Sequence, residues 1–165
     1  MTLFWDTSAV LALVLEEPHS RLARDAAAKA TSNYAWRWMP VEATAGLARR
    51  GATAAQWERL ARLLDAFRYV EIPSGRLDEL CRLNREWRLR AADAGHLFSF
   101  RLTAYVLRDV ALVCLDTDLC ECAGQVGLAV WPATEPAKAT PPAVREAASA
   151  YGGAPRRPRR PSRAT

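Results

Sequence analysis

Residues 2–14 read TLFWDTSAVLALV, and this stretch predicts a strand that leads directly into a helix. Its first part, residues 2–5, is a short apolar run of the kind that forms a buried strand. Thr7 or Ser8 can then cap the helix that we expect over residues 9–16. A strand followed at once by a helix is typical of α/β proteins, in which helices cover a largely parallel sheet.

The same alternation of strands and helices continues along most of the chain. Residues 110–115 are apolar throughout, which is typical of a central strand in a parallel sheet. The pattern predicts an α/β fold, a three-layer α/β/α sandwich with a mostly parallel central sheet of four to five strands and right-handed crossovers. The further predicted strands cover residues 34–39, 69–72 and 128–131, and the further predicted helices cover residues 20–30, 40–50, 54–67, 77–87, 91–107 and 118–125.

The composition of the 165 residues fits one folded domain followed by a tail. We expect residues 1–132, which carry the apolar periodicity, to form the domain. Residues 133–165 are rich in Pro, Ala and Arg and lose that periodicity, which predicts a disordered basic tail. Residues 134–165 hold seven basic and two acidic side chains, and they account for the whole formal net charge of +5.

Neither a membrane segment nor a zinc site is indicated. No apolar run reaches the roughly 18 residues that a membrane-spanning helix needs. No basic segment precedes the early apolar run, as one would in a signal peptide. The four cysteines form no C-x-x-C pair. We therefore expect a cytoplasmic protein with reduced thiols and no membrane partner.

Four acidic residues from distant parts of the chain are predicted to meet at one edge of the sheet. Asp6 follows the first strand directly, and Asp116 follows the strand at residues 110–115. In a parallel sheet, both lie at the carboxyl edge, where open α/β sheets bind their ligands. Glu42 and Asp93 fall in the first turns of helices that start from the same side, where the helix dipole stabilises negative charge.

A cluster of carboxylates points to a metal site, because like charges at close range destabilise one another unless a cation offsets them. Mg²⁺ and similar hard cations prefer oxygen ligands and bind phosphate as well. Such ions can activate water and hold a phosphodiester for cleavage without a protein nucleophile.

Each acidic residue also has an ordinary structural interpretation. Asp6 can cap a helix or occupy a turn, and Asp116 can be a turn residue. Glu42 and Asp93 can simply complement the dipoles of their helices. The prediction of a shared site therefore depends on all four residues falling in order at one edge.

Three stretches resemble the motifs of PIN domains. The sequence at residues 6–13 is DTSAVLAL, that at residues 93–97 is DAGHL, and that at residues 112–119 is LVCLDTDL, which leads to GLAV at residues 127–130. Glu42 matches the acidic helix between them. The resemblance covers residues 1–132, and the size and order are similar to those of the compact VapC-type toxins of bacterial toxin–antitoxin pairs.

That resemblance implies a Mg²⁺- or Mn²⁺-dependent endoribonuclease that acts on structured RNA, forms a homodimer and binds a cognate antitoxin. It implies that three aspartates hold the metal directly or through water, and that a glutamate completes the catalytic set and positions the attacking water. The catalytic set is Asp6, Glu42, Asp93 and Asp116, the metal ligands are Asp6, Asp93 and Asp116, and the supporting residues are Ser8 and Asp118.

The chain departs from the family pattern ahead of the Glu42 helix, where WRWM at residues 36–39 replaces the usual small polar residue. Trp36 and Trp38 are expected either to pack or to stack on RNA bases. Arg37 or Arg49 is a candidate for guiding the RNA backbone. The basic tail is a second departure from the compact toxins.

His96 follows Asp93 by one helical turn and is expected to be a helix-packing or capping residue, with a phosphate or Asp93 as the alternative partner. A catalytically weak PIN-like module that binds RNA or a partner is the alternative to an enzyme. A phosphoacceptor domain would need a lysine near the site, and Lys29 and Lys138 are badly placed for that role. With only two histidines, a Ser-His-Asp hydrolase has little support.

Overall fold

The computed structural model describes residues 1–17 and 19–132. The predicted tail lies outside these residues, so its disorder and the boundary at residue 132 stay predictions. No helix in the described part of the chain is long and apolar enough to cross a membrane. The strands are β1 (Thr2–Trp5), β2 (Ser32–Trp36), β3 (Arg68–Val70), β4 (Val110–Val113) and β5 (Val130–Trp131), and the helices are α1 (Thr7–Val14), α2 (Ser20–Lys29), α3 (Met39–Arg49), α4 (Ala54–Asp65), α5 (Leu77–Trp87), α6 (Ala91–Leu107) and α7 (Thr117–Gln125).

The five strands form one parallel sheet in the order β3-β2-β1-β4-β5. Strand β1 lies at the centre, and its last residue, Trp5, is aligned with Ala35 of β2 and with Val113 of β4. The carboxyl ends of the three middle strands are therefore level. The predicted parallel sheet and the predicted interior position of β4 are both confirmed.

Helices cover both faces of the sheet, which confirms the three-layer prediction. Alternate strand residues point to opposite faces, so Leu3 and Trp5 pack in a core with α1, α2, α3 and α4. Phe4 and Leu112 belong to a second core, where they pack against α6 and α7. The ring centroids of Phe4 and Phe100 are 5.4 Å apart, and this contact joins β1 to α6.

The second strand starts and ends earlier than its apolar residues suggested. Strand β2 covers Ser32–Trp36 because Asn33 accepts a hydrogen bond from the indole of Trp5 and so joins the sheet despite being polar. The chain turns at residues 37–38. Helix α3 begins at Met39, with Pro40 in the first helical positions, where its missing N–H costs nothing.

The helix caps also differ from those expected. Asp6 caps α1 by accepting a hydrogen bond from the backbone N–H of Ser8, so the prediction of Thr7 or Ser8 as the cap was wrong. Asp116 caps α7 by accepting from Leu119 N–H. A capping side chain contributes about 1 kcal/mol to helix stability. Both acidic residues therefore stabilise the fold, in addition to placing negative charge at the carboxyl edge of the sheet.

Candidate active site

Asp6 and Asp116 lie side by side because strands β1 and β4 are paired in register. The backbone N–H of Asp6 donates to the carbonyl of Val113, 2.9 Å away, which continues the strand pairing by one residue. Asp116 follows Val113 by three residues. The two carboxylates therefore meet at the carboxyl edge of the sheet, as the sequence predicted.

In each of these two carboxylates, hydrogen bonds hold one oxygen, and the other oxygen faces a basic side chain of the site. Asp6 is 5% exposed, and its Oδ2 accepts hydrogen bonds from the backbone and hydroxyl of Ser8. The Sγ of Cys114 donates to the same oxygen at 3.5 Å. In Asp116, Oδ1 is held by Leu119 N–H and Oδ2 faces Arg90. Capping thus orients both groups.

Cys114 supports this arrangement as a neutral thiol. Its hydrogen bond with Cys120 and its burial raise the pKa of the Cys114 thiol far above the ordinary value. A neutral thiol donates a hydrogen bond to Asp6, whereas a thiolate there would repel the carboxylate. Ser8 also ties the two strand ends together, since its hydroxyl oxygen accepts from Leu115 N–H at 2.9 Å.

Asp93 adds a third carboxylate, from the first turn of α6. Burial raises the pKa of Asp93, and the negative charges of Asp116 and Asp6 raise it further. The three carboxylates are therefore close enough to repel one another. Arg90 lies between two of them, with Nε 3.7 Å from Asp93 Oδ2 and Nη2 4.0 Å from Asp116 Oδ2.

Glu42 is held by a buried histidine and a threonine. The Nε2 of His96 lies 2.6 Å from Glu42 Oε2, and the hydroxyl of Thr7 donates to that same oxygen at 2.7 Å. His96 is 1% exposed, and its Nε2 also lies 3.6 Å from Asp6 Oδ1. His96 therefore connects the carboxylate of Glu42 to that of Asp6.

Burial and hydrogen bonding act in opposite directions on this pair. Burial alone would lower the pKa of His96, but the hydrogen bond to Glu42 and the charges of Asp6, Glu42 and Asp93 outweigh it and raise the pKa. Burial would raise the pKa of Glu42, and the bonds from His96 and Thr7 outweigh it and lower the pKa. The imidazolium and the carboxylate thus stabilise each other's charged form.

Trp36 presses against His96 from the side. The two rings meet edge to face with centroids 5.3 Å apart. The indole lies over Gly95 so closely that a Cβ added there would overlap the Cη2 and Cζ3 atoms of the ring. Gly95 is therefore the residue that allows this approach.

The carboxylates suit a hard cation that keeps water ligands. Their donors are all oxygen, and their mutual repulsion is the kind that a divalent ion offsets. Within the part of the chain that the structure describes, no three His, Cys, Asp or Glu side chains are grouped closely enough to hold a metal as they stand. That spacing does not suit a closed site of four protein ligands. It fits Mg²⁺, which binds through one or two carboxylates and completes its shell with water and phosphate.

The remaining predicted residues lie elsewhere. Asp118 is exposed in the first turn of α7, and no hydrogen bond or ion pair joins it to the other acids among the described residues. Arg37 does not face the carboxylates, since it pairs with Glu71 and lies over the ring of Tyr69. Arg49 is the last residue of α3, at the opposite end of that helix from Glu42.

Sequence reasoning missed two members of the site. It gave His96 a packing or capping role, whereas the side chain packs against Trp36 and also binds Glu42. It did not consider Arg90. The available signal was helical spacing, because Arg90, Asp93 and His96 follow one another at intervals of three residues and so lie near one face of the helix start.

A family model for the PIN domain matches residues 3–125. This chain belongs to the PIN domain family. The PIN domain is also similar to a solved protein, the crystal structure of PAE2754 from Pyrobaculum aerophilum, at 27% identity and a TM-score of 0.52. The match covers 74% of this chain and 87% of that chain. A comparison with curated proteins gave no match. PIN domains are generally metal-dependent nucleases, so the fold is of a nuclease type.

Replacing Gly95 with alanine should destabilise the PIN domain by about 1–3 kcal/mol, because the new methyl group overlaps the ring of Trp36. The free energy of urea-induced unfolding measures this loss. Gly124→Ala is the matched control: it lies in a helix too, and nothing lies within 4 Å of its added Cβ. The control should be neutral or more stable by up to about 1 kcal/mol. Equal effects of the two changes would contradict the packing of Trp36 on Gly95.

The stability of the PIN domain should fall as the pH rises above about 6.5, the ordinary pKa of histidine. The pKa of His96 is raised in the folded state, so its proton stabilises the fold below the unfolded-state pKa. That contribution is lost as the pH rises through the folded-state pKa, at up to about 1.4 kcal/mol per pH unit. Urea unfolding at a series of pH values measures the slope, and His96→Gln should remove this component. A variant with the same slope as the wild type would refute the ion pair.

Proposed function

We propose that this PIN domain is a Mg²⁺- or Mn²⁺-dependent endoribonuclease and the toxin of a VapBC-type toxin–antitoxin pair. The observation that carries the proposal is the meeting of Asp6, Asp93 and Asp116 at the carboxyl edge of the sheet, where burial and the charges of Asp116 and Asp6 raise the pKa of Asp93. Repulsion among carboxylates costs stability. A bound divalent ion would offset that repulsion and bind the phosphate of a substrate as well.

In the proposed reaction, Asp6, Asp93 and Asp116 hold the metal directly or through water. When bound, Mg²⁺ or Mn²⁺ would polarise the scissile phosphodiester and lower the pKa of a water molecule. Oδ1 of Asp6 and Oδ2 of Asp116 are the oxygens that do not accept the capping hydrogen bonds. Ser8 keeps Asp6 in place through its two hydrogen bonds.

Glu42 completes the catalytic set by positioning the attacking water. His96 and Thr7 both bind its Oε2, which fixes the carboxylate and leaves Oε1 to accept a hydrogen bond from water. The lowered pKa of Glu42 keeps it ionised and therefore able to accept. Asp118 stays a candidate for support through water, from the exposed start of α7.

Arg90 would serve two states of the site. In the absence of metal, its guanidinium lies between Asp93 and Asp116 and reduces their repulsion. Its side chain is 80% exposed and is therefore able to turn outward. When a cation takes over the carboxylates, the guanidinium is free to bind a phosphate of the RNA backbone.

The toxin role adds partners to the enzyme. In the proposal, the protein is cytoplasmic, forms a homodimer, acts on RNA and is inhibited by a cognate antitoxin. The family membership supports this assignment. The test is genomic: a short upstream gene that encodes a DNA-binding antitoxin and overlaps this one is expected. Its absence from the genomic neighbourhood would count against the toxin role and leave the nuclease proposal untouched.

The alternative, a catalytically weak PIN-like module that binds RNA or a partner, has one observation in its favour. The described carboxylates are not grouped closely enough to hold a metal ion as they stand, and the guanidinium of Arg90 lies beside two of them. Titration calorimetry with Mn²⁺ separates the two candidates. Saturable binding that Asp6→Asn weakens supports the enzyme, whereas no saturable binding supports the module.

Asp6→Asn should reduce metal-dependent cleavage of RNA by roughly 100-fold or more, because it removes charge from the group that holds the ion. Cleavage of total RNA in the presence of Mg²⁺, followed on gels, measures the change. Asp109→Asn is the matched control, since Asp109 is an exposed aspartate directly before β4 and so lies at the opposite edge of the sheet. Equal cleavage by wild type and Asp6→Asn would end the nuclease proposal.

Arg90→Gln should strengthen the binding of Mn²⁺ by roughly two- to tenfold, because it removes a competing positive charge about 4 Å from two of the carboxylates. The same variant should bind RNA more weakly. Calorimetry measures the metal, and a filter-binding assay measures the RNA. Arg101→Gln is the control, since Arg101 pairs with Glu79 and not with the site. Weaker Mn²⁺ binding by Arg90→Gln would contradict the role of Arg90 as a counter-ion.

A further inference from the structure

Two neighbouring tryptophans precede the helix that carries Glu42, and they differ in exposure. Trp36 is half-buried, with its ring over Gly95 and against His96. Trp38 is 52% exposed, although it is the largest type of side chain. The centroids of the two indoles are 6.5 Å apart and the rings are tilted by 38°. Trp36 thus supports Trp38 from one side and leaves a broad aromatic surface open.

The backbone connects Trp38 to the acidic site directly. Trp38 is the residue directly before α3, and its carbonyl accepts hydrogen bonds from the backbone N–H groups of Val41 and Glu42. The indole therefore leaves the chain one helical turn before Glu42. A second path runs through side chains, from Trp38 to Trp36, then to His96 and to Glu42.

We propose that Trp38 is a base-stacking surface that selects RNA with an unpaired nucleotide beside the scissile phosphate. This inference rests on the proposed nuclease function and assigns a substrate-binding residue to the same site. A phosphate at the carboxylates brings the neighbouring base within reach of the site rim. Every nucleobase has a flat aromatic face, so an indole at that rim binds bases without strict sequence preference. Bases inside a double helix are already stacked, which leaves only unpaired ones available.

The surroundings of Trp38 favour an RNA base over a protein partner. Arg37, the preceding residue, is charged and exposed, and it pairs with Glu71. Among the described residues, the exposed large apolar side chain nearest to Trp38 in the sequence is Val41, which is 49% exposed and one turn further along α3. A protein-docking patch is expected to cover several hundred Å² of continuous apolar surface. A single indole against an acidic phosphodiester site fits one nucleotide.

The experiment compares Trp38→Ala with the wild type on a short single-stranded RNA of mixed sequence whose cut position has been mapped. The same RNA is then made with an abasic nucleotide on either side of the cut. With the intact RNA, Trp38→Ala should lower kcat/KM by roughly 5- to 150-fold, the range of one base–aromatic stack. When the base is removed at one of the two positions, the variant and the wild type should cleave the RNA at equal rates, because the loss of the base and the loss of the indole remove the same contact.

Trp38→Phe should retain part of the activity, since a smaller ring still stacks. Tyr105→Ala is the matched control: it removes an aromatic ring that is 88% exposed, near the far end of α6. It should leave kcat/KM unchanged on every RNA. Urea unfolding of each variant shows that the fold is intact.

Three outcomes would overturn the inference. A loss that is equally large with both abasic RNAs shows that Trp38 acts on the structure of the site. An unchanged kcat/KM shows that no base stacks there. An unchanged kcat/KM with loss of self-association, measured by sedimentation, assigns the surface to a second copy of the chain.

A wild-type protein that does not cleave RNA with Mg²⁺ or Mn²⁺ would refute the proposed nuclease function instead. In that case, fluorescence anisotropy still tests the stacking surface. Trp38→Ala should then weaken binding to the single-stranded RNA and leave weak binding to the matching duplex unchanged. Equal weakening for both RNAs would overturn the stacking inference on its own.

Discussion

The parallel pairing of β1 with β4 is the constraint on which the site depends. Because Trp5 is aligned with Val113, the chain leaves both strands at the same level of the sheet. Asp6 comes directly after β1 and Asp116 three residues after β4, and each caps the helix that follows. The fold therefore cannot separate the two carboxylates without breaking the central pair of strands. Capping then orients each group, since it binds one oxygen and leaves the other to face His96 in Asp6 and Arg90 in Asp116.

Helix N-termini reduce the cost of collecting so much negative charge. Asp6 and Asp116 cap α1 and α7, while Glu42 and Asp93 lie in the first turns of α3 and α6. Each N-terminus stabilises a carboxylate by about 0.3–1 kcal/mol. That is not enough, since the charges of its neighbours still raise the pKa of Asp93. The positive charge of His96 offsets the negative charge of Glu42, and the exposed guanidinium of Arg90 offsets that of Asp93.

The sequence predicted the order of elements and the edge at which the acids meet, because both follow from local patterns. Apolar runs mark strands, and an acidic residue directly after a run lies at its end. The strand limits were less accurate: β4 ends at Val113, since Ser8 and Cys114 take the backbone N–H groups that follow. The pairing of Glu42 with His96 joins residues 54 positions apart, and no local pattern marks such a contact. Thr7, which also binds Glu42, is 89 positions from His96 in the sequence.

The aromatic segment ahead of α3 illustrates how a departure from the family pattern is accommodated. An indole at residue 36 needs space that a side chain on α6 would fill, and Gly95 provides that space. The glycine is not required by its backbone conformation, since it lies inside a regular helix, where glycine costs about 1 kcal/mol relative to alanine. That cost is offset by the close contact of Trp36 with His96, which shields the bond from His96 to Glu42 from water. A hydrogen-bonded ion pair is stronger when water is excluded. Trp36 therefore contributes to the position of Glu42 without touching it, and it leaves Trp38 as the aromatic side chain that faces solvent at the rim.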